Sequence, residues 1–164
     1  MMDDPSQTNV VRERDTTRAD DIRMGAQILL RQFNIIAAAE VTLPDGRRAD
    51  LFGIDPKGRV TIVEIKSGAA DFLSDNKWTD YKDWCDDFYF AVDPDFPQDL
   101  LPEAEGLIIA DRMGGEILRP AAPADPIAAA RRKKLLILYA RKAADRLARL
   151  ERLVGKIMLD DEGA

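Results

Sequence analysis

Asp50, Glu64 and Lys66 are charged residues set into stretches that otherwise read as buried β-strand. Val60 to Ile65 runs Val-Thr-Ile-Val-Glu-Ile, the composition of a strand covered on both faces with one carboxylate placed inside it. A buried carboxylate without a partner is costly, so this one needs a cation, several hydrogen bonds or an open cleft. The chain contains no His and a single Cys, Cys85, so imidazole plays no part in any metal or catalytic site and no internal disulfide can form. Any metal here must be held by oxygen, which points to Mg²⁺ or Mn²⁺.

The elements that would position these residues are legible from two turns. Asp55-Pro56-Lys57-Gly58 has Pro where a type I turn wants it and Gly at the left-handed position, the sequence of a three-residue hairpin loop with a bulge. That loop faces Asp55 with Arg59 and therefore Asp50 with Glu64. Directly opposed residues of an antiparallel pair share a face, so two carboxylates come within reach of one ion. Pro44-Asp45-Gly46 repeats the chemistry, pairing Leu43 with Arg47 and setting Glu40 opposite Asp50. Lys66, two residues beyond Glu64, projects to the same side. A two-residue loop would turn Asp50 to the opposite face, so the prediction depends on the bulge.

An acid on one strand followed across a hairpin by Glu64-Ile65-Lys66 resembles the PD-(D/E)XK nuclease site, with Ala49 where the Pro of that name would stand. In the RecB-like branch a Gln-x-x-x-Tyr element follows on the next helix; here Lys77 and Tyr81 hold those positions, within a helix expected over Ala69 to Asp86. More specifically, Arg47-Arg-Ala-Asp-Leu, Val63-Glu-Ile-Lys-Ser, Asp71-Phe, Asp75-Asn-Lys-Trp, Asp80-Tyr, Trp84-Cys-Asp and Phe88-Tyr-Phe-Ala-Val resemble the MmcB-like family of DNA-repair proteins, over about Arg18 to Arg119. The resemblance implies a nuclease-type fold and a role in DNA repair. It implies that Asp50, Glu64 and the Ile65 carbonyl hold the metal. Lys66 then orients or helps deprotonate the attacking water and stabilises developing negative charge.

At 164 residues, 46% hydrophobic and 33% charged, the chain is long enough for one domain with a real core. No apolar run is long enough to span a bilayer and the acidic start is unlike a signal peptide, so a cytoplasmic protein with no membrane contact is expected. Residues 1–15 read as a disordered tail, with Asp15-Thr16-Thr17 capping a first helix that carries Ile22, Ala26, Leu29, Leu30 and Phe33. Strand one is expected at about Ile35 to Leu43. After the helix come an aromatic strand, Asp87 to Val92, a Pro- and Asp-rich loop, a buried strand at Gly106 to Ala110, a turn at Met113 to Gly115 and a returning strand at Glu116 to Arg119. The fold class is α/β, a mixed central sheet flanked by helices with a restriction-endonuclease-like core over 16–119.

Residues 120–126 read as a Pro/Ala linker, and 127–164 as a basic C-terminal helix and tail opened by Asp125 and Pro126. Within 127–156 ten Lys and Arg stand against Asp145 and Glu151, a charge of +8, so with −6 overall the rest of the chain carries −14. Arg131, Arg132, Lys133 and Lys134 form its densest cluster. A basic helix beside an acidic core suits DNA phosphates.

The leading expectation is a Mg²⁺-dependent deoxyribonuclease using Asp50, Glu64 and Lys66. Glu40, Lys77 and Tyr81 are further candidates, and Arg47, Arg48 and Arg131 to Lys134 are candidates for DNA contact. Besides DNA, other repair proteins are candidate partners. The alternative is a nuclease-fold DNA-binding or repair-scaffolding protein without turnover. A third reading makes Asp50, Glu64 and Lys66 a salt-bridge network.

Overall fold

The computed structural model describes residues 5–75 and 77–161, with side chains described between 16 and 156. Its centre is a six-stranded mixed sheet whose strands lie side by side in chain order: β1 (Ile36–Thr42), β2 (Arg48–Ile54), β3 (Val60–Ile65), β4 (Asp87–Val92), β5 (Gly106–Asp111) and β6 (Gly114–Arg119). Tight turns make β1–β2–β3 and β5–β6 antiparallel, whereas β3–β4–β5 are parallel and need crossovers. All six residues of β3 are buried, as expected of a central strand.

The sheet is covered on one face by α1 (Pro5–Gln32), whose Ile22, Ala26, Leu29 and Leu30 meet Leu51, Val63, Ile65, Ala91, Ile108 and Ala110 in one core. The spacing of those four residues is the apolar stripe expected from the sequence. The helix passes so close to the β5–β6 turn that a Cβ on Gly25 would collide with the Asp111 carbonyl, so only Gly fits there. The core continues through Phe88 and Phe90, which pack against the crossover segment: Phe72 meets Phe90 edge-on with centroids 5.6 Å apart, and Trp78 stacks on Phe88 at 5.8 Å. Trp78 is therefore a packing residue.

Four boundaries differ from expectation. The helical backbone of α1 begins at Pro5, where a disordered tail to residue 15 was expected; residues 1–4 lie outside the described residues. The single helix expected over Ala69 to Asp86 is two pieces, α2 (Ala69–Ser74) and a 3₁₀ helix (Trp78–Trp84), with Asp75 extended between them. Asp and Asn offer their neighbours' backbone an alternative to the helix, and here Asp75 accepts the Lys77 N–H at 2.9 Å. Strand β6 starts at Gly114, inside the expected turn. The last helix, α3, spans Ala129–Asp161, and its first turn closes with Arg132 N–H donating to the Ala128 carbonyl, so Ala128 stands where Asp125 was expected. The chain divides into two compact units, residues 1–127 and the C-terminal helical unit 128–164; residues 120–128 carry no regular structure.

Candidate active site

Both hairpins close as their turn residues require. Gly58 takes φ +78° and donates to the Asp55 carbonyl at 3.0 Å, Asp55 pairs with Arg59, and the Asp55 side chain accepts the Lys57 and Arg59 amides at 2.8 and 2.9 Å. The ladder then pairs Ile54 with Val60 and continues to Leu51 with Val63, so the next step faces Asp50 with Glu64. Gly46 at φ +89° closes the first hairpin in the same way and pairs Leu43 with Arg47. Ala39 and Val41 pair with Leu51 and Ala49, which places Glu40 level with Asp50.

These registers converge at the C-terminal end of β3, beside a cleft of about 400 Å³. Glu64 is only 5% exposed, and its Oε1 has no hydrogen-bond partner. Its other oxygen, Oε2, lies 3.8 Å from Lys66 Nζ. Asp50 is tied to the same strand, with Oδ2 accepting the Ile65 N–H at 2.8 Å. Lys66 is buried as well and ends on Asp75, with Nζ 2.6 Å from Oδ2. The Tyr81 hydroxyl, also on the cleft wall, donates to the Arg48 carbonyl at 2.9 Å. Arg23 of α1 and Asp71 of α2 line the cleft too.

The arrangement strains its own acids. Burial pushes the Glu64 carboxyl up to about 8, and the charge of Asp50 adds to the rise, which the Lys66 ammonium only partly offsets. Burial also raises Asp50, against the Ile65 amide and Lys66, which favour its charged form. For Lys66 burial works against the charge, but the Asp75 hydrogen bond and the charges of Glu64, Asp75 and Asp71 outweigh it, leaving the ammonium held above its ordinary value. Burial raises Tyr81, reinforced by Glu64 and Asp50, so its phenol stays protonated. Like charges this close are tolerated only when one is protonated or a cation stands between them.

Of the predicted residues, Asp50, Glu64, Lys66, Ile65 and Tyr81 come together. Glu40 reaches the cleft by register, yet its backbone is left-handed at φ +53° and its exposed carboxylate faces Arg48 at 3.8 Å, away from Asp50 and Glu64. Among the described residues no three His, Cys, Asp or Glu side chains are grouped to hold a metal. Lys77 precedes the 3₁₀ helix, is exposed and is not on the cleft, because the helix that would have aligned it with Tyr81 is broken. Arg48 lines the cleft, whereas Arg47 is drawn into ion pairs with Asp80 and Asp45. Arg131, Arg132, Lys133 and Lys134 occupy the first turns of α3.

Sequence reasoning did not assign roles to Asp75, Asp71 or Arg23. Asp75 had a signal: Ser74-Asp75-Asn76 is a turn-forming run in the middle of an expected helix, and such an interruption often frees a side chain for use elsewhere. Arg23 had none, because its place on the cleft depends on how α1 crosses the sheet.

Fold and site together define a class: an α/β protein with a mixed sheet whose central strand ends in a buried carboxylate, Glu64, with the half-buried Asp50 of the neighbouring strand and a buried lysine beside it, at an open cleft. The chain belongs to the MmcB-like family, described as DNA repair protein MmcB-like, which it matches over residues 6–153. It is similar to the SPO1766 protein of unknown function from Silicibacter pomeroyi, at 40% sequence identity over 82% of this chain and 91% of that one, with a TM-score of 0.78. No curated protein matches the chain. Among the described residues no helix is long and apolar enough to cross a membrane.

Proposed function

We propose that this chain is a metal-dependent nuclease of DNA repair that hydrolyses phosphodiester bonds, with a site of the PD-(D/E)XK kind. The observation that carries the reading is Glu64 Oε1, a buried carboxylate oxygen without a partner, on a residue set level with Asp50 and 3.8 Å from Lys66. An orphaned buried oxygen is rare in native proteins because it forfeits its hydration, and a cation is one partner that relieves both this cost and the repulsion from Asp50. The donor set is all oxygen and suits Mg²⁺ or Mn²⁺, with Asp50, Glu64 and the Ile65 carbonyl as the ligands; magnesium commonly takes one or two carboxylates and fills its shell with water and phosphate.

When bound, the ion supplies a polarised phosphate oxygen and a more acidic water. The remaining work belongs to the chain. Lys66 Nζ, fixed by Asp75 at 2.6 Å, is kept as an ammonium and stabilises negative charge developing on the phosphate. This role fits better than proton abstraction, since a lysine held charged is a poor base. Arg48 and Arg23 give the cleft cationic groups for the flanking phosphates. The cluster Arg131 to Lys134 adds positive charge for DNA association, and membership of a DNA-repair family supports DNA as the partner. The single Cys85 is a buried free thiol, consistent with work in the cytoplasm.

A second reading, DNA binding without turnover, is favoured by Lys66 being already paired with Asp75 and by Lys77 lying away from the cleft. Purified protein with Mg²⁺ or Mn²⁺ and single-stranded, double-stranded and branched DNA separates the two. Cleavage that disappears in Lys66→Ala while DNA affinity persists supports the nuclease. DNA binding by wild type with no cleavage of any form would favour the scaffold.

A further inference from the structure

The C-terminal helix leaves large apolar side chains uncovered in a regular pattern. In sequence, Leu136, Ala140, Ala143, Leu147, Leu150, Val154 and Ile157 alternate at spacings of four and three, a heptad seam over three repeats in which Leu136 is half-buried and Leu147, Leu150 and Val154 are exposed. With Ala140, Leu147 and Val154 at position a, the remaining four fall at d. Among the described residues the exposed large hydrophobics of α3 are Ile137, Leu147, Leu150, Leu153 and Val154, each between 51% and 59% exposed, and all lie at a, d or the flanking e and g positions. Arg141, Lys142, Arg149 and Lys156 fall at b and c, on the opposite side, where Arg149 pairs with Asp145 of its own helix at 2.9 Å. A 3.5-residue apolar period fits another helix, because it keeps one seam facing a partner along a supercoil.

The charges beside the seam select the partner. In a parallel pair, position g of one helix meets position e of the next heptad on the other. Arg146 at g therefore meets Glu151 at e of a second copy, and the two-fold symmetry makes that pair twice. Leu150 at d and Val154 at a follow the preference of two-stranded parallel coils for γ-branched d and β-branched a residues. An antiparallel pair would instead set Arg146 and Glu151 in g–g and e–e contacts, losing this complementarity. Roughly 33 Å of seam, at 1.5 Å per residue over residues 136–157, is three heptads.

We infer that the chain forms a homodimer through a parallel two-stranded coiled coil of α3, using the seam Leu136 to Ile157 and reciprocal Arg146–Glu151 pairs. The inference does not depend on catalysis. The 164-residue chain should sediment at twice 18.3 kDa at micromolar concentration. Leu147→Glu with Leu150→Glu should be monomeric with unchanged thermal unfolding of the sheet unit. Arg146→Glu should weaken association at least tenfold, by facing two acids, and adding Glu151→Arg should restore it. Leu150→Cys should crosslink to its counterpart under mild oxidation, as like d positions adjoin in a parallel pair. A wild-type mass of 18.3 kDa at every concentration overturns the inference, and so does a dimer indifferent to the two Glu substitutions. A dimer that the charge swap fails to restore, or one in which the Leu150→Cys variant does not crosslink, overturns the parallel register.

Discussion

The end of β3 and the C-terminal helix violate the usual partition of residues in opposite ways. At β3, charge is buried: Glu64 and Lys66 sit almost wholly out of solvent, fixed by strand register. On α3 it is apolar surface that is exposed, with Leu147, Leu150 and Val154 open. Buried charge and contiguous exposed apolar surface are the two departures that carry information, because each costs free energy until something else binds. The first calls for a small charged ligand and the second for a macromolecular partner. Each feature should respond to its own ligand and be indifferent to the other's.

The largest expected effect is on chemistry. Asp50→Asn with Glu64→Gln should lower the proposed Mg²⁺-dependent cleavage by at least about a hundredfold and lack the rise in Tm expected of the wild type with Mn²⁺, while leaving the proposed α3-mediated association unchanged. An equal metal response in wild type and variant places the ion elsewhere. Next in size is the stability of the metal-free protein. Glu64 in the folded state keeps its proton up to about pH 8, whereas the unfolded chain releases it near 4.5. Between those values the native state binds more protons, so its stability falls as pH rises and levels off above about 8. Glu64→Gln lacks this slope and should gain on wild type by a few kcal/mol across the window, since each tenfold difference in proton affinity between folded and unfolded states is worth roughly 1.4 kcal/mol. Denaturant midpoints at both ends of the window measure it; parallel curves would mean that Glu64 is not strained.

Smaller effects belong to the helix. Replacing Arg131, Arg132, Lys133 and Lys134 by Ala should weaken binding to all DNA sequences alike and flatten the salt dependence by about 3 to 4 units of slope if each meets a phosphate. An unchanged slope would assign the DNA path to the hairpin side of the cleft. Least of all, Arg149→Ala, which breaks an exposed pair with Asp145, should cost no more than about 0.5 kcal/mol by denaturant titration.

Much of the site was legible because two turns fix it. Pro56-Lys57-Gly58 and Pro44-Asp45-Gly46 dictate loop length, loop length dictates register, and register dictates which side chains face each other. The antiparallel part of the sheet, β1–β2–β3, followed for the same reason. What escaped depends on tertiary placement or on local competition. Glu40 has the predicted register but a left-handed backbone that no Gly advertises, so its carboxylate leaves the pair. The helix after β3 breaks at Asp75 because that side chain is claimed by Lys66 and the Lys77 amide, which propensity summed along the segment does not register. The start of α1 was misplaced because its polar first turns, Ser6-Gln-Thr-Asn9, carry no apolar period to mark a helix.

The buried oxygen of Glu64 is the centre of the functional account, and diffraction from crystals soaked in Mn²⁺ tests it most directly. Anomalous density should appear between Asp50 and Glu64, with roughly 2.0 to 2.3 Å to a carboxylate oxygen of each and to the Ile65 carbonyl. Manganese bound only elsewhere, with Glu64 Oε1 still unpartnered, would contradict the account.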